Sequence, residues 1–105
     1  MAWVYLAAAG LLEIGWAVGL KYTHGFTRLW PSVLTVIAMA ASVILLAWAV
    51  RTIPVGTGYA VWTGIGAVGT AVCGILLFAE PVTLGRVFFL STIVLGILGL
   101  KFTSG

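Results

Sequence analysis

Glu13 lies near the middle of an apolar run, Ala2 to Leu20, that carries no other charge. A carboxylate at that depth in hydrocarbon costs at least about 2 to 3 kcal/mol on insertion scales. It has two tolerable states: protonated and neutral, or ionised and paired with a cation. No lysine or arginine of the chain falls near mid-membrane, so the cation has to come from outside the protein. The chemistry this describes is a cation site with a proton as competitor. The competing reading is a protonated glutamate that holds helices together through one hydrogen bond.

Around that carboxylate the spacing is helical. Gly10, Trp16 and Ala17 stand at i−3, i+3 and i+4 from Glu13 and share its face. The small residues are expected to leave room beside the carboxylate. Trp16 lies too deep for the interfacial belt and offers a π face to a cation or an N–H to Glu13; plain apolar packing is the alternative. A second constellation repeats the pattern: Tyr59 and Trp62 at i and i+3, continued on the same face by Gly66, Gly69 and Cys73. A Tyr hydroxyl in hydrocarbon needs a partner, and a carboxylate from another helix would serve, although aromatics at this spacing are also ordinary packing. Ser42 is placed to orient a carboxylate or, as serines inside helices do, to bond back to the carbonyl of Ala38.

These residues sit on four apolar runs. The chain has 105 residues, 63% apolar and 7% charged, with 14 glycines and a net charge of +3. A soluble domain carries about 25% charged residues, so this chain cannot cover a water-facing surface. It is read as an all-α integral membrane protein, one domain over residues 1–105, with spans at about 2–21, 30–50, 55–79 and 83–102. Pro31 opens the second span as a first-turn proline would, and Glu80-Pro81 ends the third because proline disfavours helix at the preceding residue. In the fourth, only Val87 to Leu100 is uncharged, about 21 Å at 1.5 Å per residue, so Arg86 and Lys101 are expected to snorkel to the interfaces. The first run lacks a basic leader and a small-residue cleavage site, and is expected to be retained.

Gly64, Gly66 and Gly69 strip bulk from the middle of the third span, which permits either bending or close packing without motion. Thr92, Gly96 and Gly99 share a face of the fourth span, a small-residue pattern suited to helix pairing. Lys101 reads as an interfacial anchor, and Cys73 as a small apolar filler. The links containing Lys21, Arg28 and Arg86 fall on one side, and Arg51 and Lys101 on the other, a basic count of three against two. So small a bias permits insertion in both orientations, unless a single residue suffices to decide it.

Other classes fall away. One cysteine allows no intrachain disulfide and no cysteine-built metal or redox site. Five scattered basic residues form no stripe for a nucleic acid. His24 is alone in a link, and no nucleophile and base stand at a spacing that makes an enzyme. No cofactor or metal is expected.

Over essentially its whole length the chain resembles the small multidrug resistance transporters. The resemblance rests on Glu13 central in the first of four spans, Lys21 followed by Gly25-Phe26-Thr27-Arg28-Leu29-Trp30-Pro31-Ser32, Ile53-Pro54 before the third span, and Tyr59-Ala60-Val61-Trp62-Thr63-Gly64-Ile65-Gly66. Trp16 one turn after the glutamate, and Lys101 ending the last span, are similar to the guanidinium-exporting subtype. The resemblance implies an antiparallel, dual-topology homodimer in a bacterial inner membrane, exchanging guanidinium and small substituted guanidiniums for protons by alternating access. It implies that Glu13 binds substrate and protons, that Trp16, Ser42, Tyr59 and Trp62 line the pocket, and that Gly10 and Lys101 support it. Gly64, Gly66 and Gly69 would form a hinge, and Thr92, Gly96 and Gly99 the dimer seam. Because the chain shows no internal inverted repeat of the kind larger transporters carry, two oppositely inserted copies would supply the symmetry. An exporter of quaternary ammonium or other lipophilic cations is the alternative cargo, and a passive pore or structural subunit the alternative class.

Overall fold

The computed structural model describes residues 1–104, with side chains through Thr103. Four helices follow in order: α1 (Ala2–Tyr22), α2 (Leu29–Ala49), α3 (Val55–Phe78) and α4 (Leu84–Ser104). No strand occurs among the described residues. Each helix is long and apolar enough to cross a membrane. A 21-residue helix reaches about 31 Å, close to the roughly 30 Å of a bilayer's hydrocarbon. The expected all-α, four-span architecture is present. In α4 the helix runs outward past the uncharged stretch at both ends and takes in Arg86 and Lys101.

The helix ends are set by local chemistry. Thr23 closes α1: its hydroxyl donates to the carbonyl of Leu20 at 2.8 Å and accepts from the N–H of Phe26 at 3.2 Å. His24, Gly25 and Phe26 then follow in the left-handed region, with φ of 49°, 72° and 66°. That run turns the chain so that Thr27 and Arg28 both donate to the carbonyl of Thr23. Pro31 lies within the first turn of α2, where its missing N–H has no intrahelical partner to lose. At the end of α3, Ala79 adopts the left-handed conformation and the N–H of Glu80 donates to the carbonyl of Gly74 at 3.3 Å.

In packing, α1 is the central helix, laid along α2 on one side and α3 on the other; α4 is attached to α3. The extents, 42 × 35 × 17 Å, describe a slab rather than a round bundle. Small residues let the helices approach. A Cβ on Gly10 would meet the Ile65 side chain at 2.6 Å, and one on Gly64 would meet Ile97 at 2.8 Å. Gly69 lies in the same way beneath Ile14. The densest packing is at one end, where Leu6, Ala9, Ala49, Ile53, Val61 and Trp62 form the core. The opposite half, around the C-terminal turns of α1 and α3 and the start of α4, is open. Glu13 stands between the two.

Candidate functional site

Helix α1 presents Glu13 to α3, and α3 receives it at Gly66. A Cβ on Gly66 would run into the carboxylate itself, so the carboxylate can take this position only against a glycine. Gly10, by contrast, makes room for Ile65 and not for the carboxylate. The seat for Glu13 therefore belongs to the third helix.

Beside it lies a cleft of about 530 Å³ between α1 and α3, lined among others by Glu13, Trp16, Thr63, Gly66 and Thr70. Three polar atoms are buried there without a hydrogen-bond partner: Glu13 Oε1, Trp16 Nε1 and Thr70 Oγ1. A buried polar atom left unpaired costs about 1–3 kcal/mol, more if charged. Three together mark a place where a ligand's polar groups would be accommodated. The two oxygens can accept from a cation bearing N–H groups, while the indole N–H, a donor only, can be satisfied by an oxygen such as that of the carboxylate.

Ser42, Trp62 and Tyr59 lie apart from that cleft. Ser42 Oγ donates to the carbonyl of Ala9 at 2.6 Å and accepts from Trp62 Nε1 at 2.9 Å. This buried chain joins α1, α2 and α3 one turn before Glu13. In this structure Ser42 bonds neither the Glu13 carboxylate nor the carbonyl of Ala38; it pins the turn from which Glu13 projects. Tyr59 is exposed on the outside of the chain, its ring tilted against Trp62 at 5.6 Å. The candidate pocket residues thus fall into two groups, Glu13 with Trp16 in the cleft and Ser42 with Trp62 and Tyr59 beside it.

The remaining candidates are placed as follows. Helix α3 runs unbroken through Gly64, Gly66 and Gly69, whose three bare faces receive Ile97, Glu13 and Ile14. Lys101 Nζ rests 4.9 Å over the ring of Trp3, beside the start of α1. Thr92 donates to the carbonyl of Phe88 at 3.0 Å. A Cβ on Gly96 or Gly99 would meet nothing, so that face of α4 is open. Cys73 is free and half-buried. Among the described residues no group of three His, Cys, Asp or Glu is assembled that could hold a metal.

Several cleft residues escaped sequence reasoning. Thr63 and Thr70 stand at i−3 and i+4 from Gly66, on the same face, and that spacing was the available signal. Lys21, Glu80 and Arg86 line the mouth. Lys21 Nζ lies 4.9 Å over the Phe78 ring, and Glu80 pairs with Arg86 in the one salt bridge among the described residues, at 2.6 Å. A larger cleft, about 740 Å³, opens at the other end around Trp3, Trp48 and Arg51. It contains no carboxylate and none of the three unpartnered atoms.

Four helices apolar enough to cross a membrane, with a carboxylate within the first, define a multi-pass membrane protein, and comparison with known proteins specifies it. The family model described as Small Multidrug Resistance protein matches residues 1–93. The chain belongs to the small multidrug resistance family, multi-pass proteins of the bacterial inner membrane. It is 61% identical over 104 residues to a protein of Yersinia pseudotuberculosis named guanidinium exporter, covering 99% of this chain and 100% of the relative. It is 62% identical over 104 residues to the guanidinium exporter of Escherichia coli K12, with 99% of each chain covered. The relative of the same name from Salmonella typhimurium is 60% identical over 104 residues, again with 99% of each covered.

Proposed function

We propose that the chain exports guanidinium and small substituted guanidinium cations in exchange for protons, by alternating access, as an antiparallel homodimer inserted in both orientations. The observation that carries the reading is Glu13 Oε1, buried and unpartnered in a cleft with two further unpartnered polar atoms. Relatives of about 60% identity named guanidinium exporter support the choice of cargo.

Ionised Glu13 accepts two parallel N–H bonds from a planar guanidinium. Thr70 Oγ1 is a further acceptor, and the Trp16 ring offers a π face to the delocalised charge. A tetraalkylammonium has no N–H to give these oxygens, which favours guanidinium as cargo. When Glu13 takes a proton it loses the charge that holds the cation, so guanidinium binding weakens as pH falls. If protonated and cation-loaded dimers reorient more readily than the empty one, a proton gradient drives the cation outward. The open Gly96 and Gly99 face of α4 supports a dimer seam formed by fourth helices.

Proton movement in liposomes containing the purified protein tests the reading, with guanidinium and then tetraalkylammonium added, for wild type and Glu13→Gln. Guanidinium is expected to drive proton flux in wild type and none in Glu13→Gln. Flux with bulky ammonium ions alone would change the cargo, and an uncoupled current would indicate a pore.

A further inference from the structure

The chain has only two acidic residues, Glu13 and Glu80, and both line the same cleft. They are seated alike: a Cβ on Gly66 would strike the Glu13 carboxylate, and a Cβ on Gly74 would strike that of Glu80. Gly66, Thr70 and Gly74 follow one another at four-residue spacing along one face of α3. The two seats are eight residues apart, about 12 Å along the helix axis. Midway stands Thr70, its hydroxyl buried and unpartnered. The cleft therefore carries a carboxylate at its inner end, a free hydroxyl in the middle and a second carboxylate at its mouth.

Glu80 already holds a guanidinium group, that of Arg86. Arg86 Nη2 donates to Glu80 Oε1 at 2.6 Å and Nη1 donates to the carbonyl of Pro81 at 3.2 Å. Both acceptors belong to the short link that the left-handed Ala79 turns back over α3. The pair is partly exposed, 28% for Arg86 and 40% for Glu80, where charge pairs are weak and exchange readily. A diffusing guanidinium presents the same planar array of N–H donors.

We propose that Glu80 Oε1 and the Pro81 carbonyl form an outer guanidinium station at the mouth of the cleft, occupied in this structure by Arg86. An entering or leaving guanidinium displaces Arg86 there and passes along Thr70 between Glu80 and Glu13. The proposal rests on the reading that Glu13 carries guanidinium.

The test compares the two ends of the pair. Guanidinium-driven proton flux is measured in liposomes for wild type, Glu13→Gln, Glu80→Gln and Arg86→Gln, with KM and kcat separated. Glu80→Gln removes the station and is expected to raise KM for guanidinium about fivefold, the upper range for a partly exposed charge pair. Arg86→Gln removes the competitor and is expected to lower KM by a similar factor. A merely structural ion pair is broken equally from either end, so KM moving the same way in both variants, or in neither, overturns the station. Should Glu80→Gln not fold, Arg86→Gln decides alone: a lowered KM supports the station, and an unchanged or raised KM overturns it. Wild-type flux that is independent of Glu13 sinks the function proposed above together with the station. Glu13-dependent flux with KM unmoved by either mouth variant removes the station only.

Discussion

Glu13 and Gly66 form a single unit. The carboxylate is contributed by one helix and the vacant volume it occupies by another, so a methyl group on either of two glycines tests different things. Gly66→Ala sets its Cβ against the carboxylate, a flexible group that can swing aside. The expected outcome is near-normal thermal stability with guanidinium affinity reduced about tenfold or more, since displacing one charge-assisted contact is worth at least about 1.4 kcal/mol. Gly10→Ala sets its Cβ against Ile65, a branched side chain in a packed contact. That variant is expected to lose about 1–3 kcal/mol of stability while the affinity of the folded fraction stays unchanged. Calorimetric binding and thermal unfolding in detergent separate the two; equal loss of affinity in both variants would refute the division. That Glu13 and Trp16 share one cleft was legible in the sequence because depth and a one-turn spacing are local properties. The Ser42 to Ala9 bond was not, because its acceptor lies on a different helix.

The four helices differ in how much of their surface the chain itself covers. Helix α1 packs along neighbours on two sides, whereas α4 packs along α3 only, touching α1 through Lys101 over the Trp3 ring, and the described window of its span contains no buried residue. In lipid an apolar face needs no cover for solubility, so the significant feature is the small-residue row, which lets a second backbone approach. Gly96→Leu combined with Gly99→Leu is expected to leave the helical content of the chain intact, because both Cβ positions face open space. The dimer fraction seen by cross-linking in membranes, and transport with it, is expected to fall by at least about tenfold, roughly the scale of a close-packed interhelical contact. An unchanged dimer fraction would move the seam to another helix.

At the scale of the whole molecule, the slab shape and one-sided attachment of α4 leave a cleft bounded by α1 and α3, with its mouth beside Lys21, Glu80 and Arg86. A dimer of oppositely inserted copies would present two such clefts with mouths on opposite sides. The basic residues Lys21, Arg28 and Arg86 against Arg51 and Lys101 barely bias insertion. Thr27→Lys with Leu29→Lys adds two charges to the heavier side, five against two, in an exposed link and helix start. The variant is expected to insert in one orientation, read by labelling a C-terminal tag from either face of sealed vesicles, and to lose most of its transport. Full transport from a singly oriented protein would count against the antiparallel dimer.

Span number, span positions and the isolated carboxylate follow from the sequence alone, because hydropathy and the depth of a charge along a helix depend only on residues a few places apart. Pro31, Pro54 and the Glu80-Pro81 break likewise act on their immediate neighbours. What only the tertiary structure decided is which helix surface each of these residues meets. Gly66 rather than Gly10 seats the carboxylate, Ser42 pins Ala9 and Trp62, and Glu80, read from the sequence only as the end of a helix, shares a cleft with Glu13. Those pairings depend on how helices distant in sequence are rotated and spaced against one another. With apolar residues on every side of each helix, no local periodicity encodes that rotation.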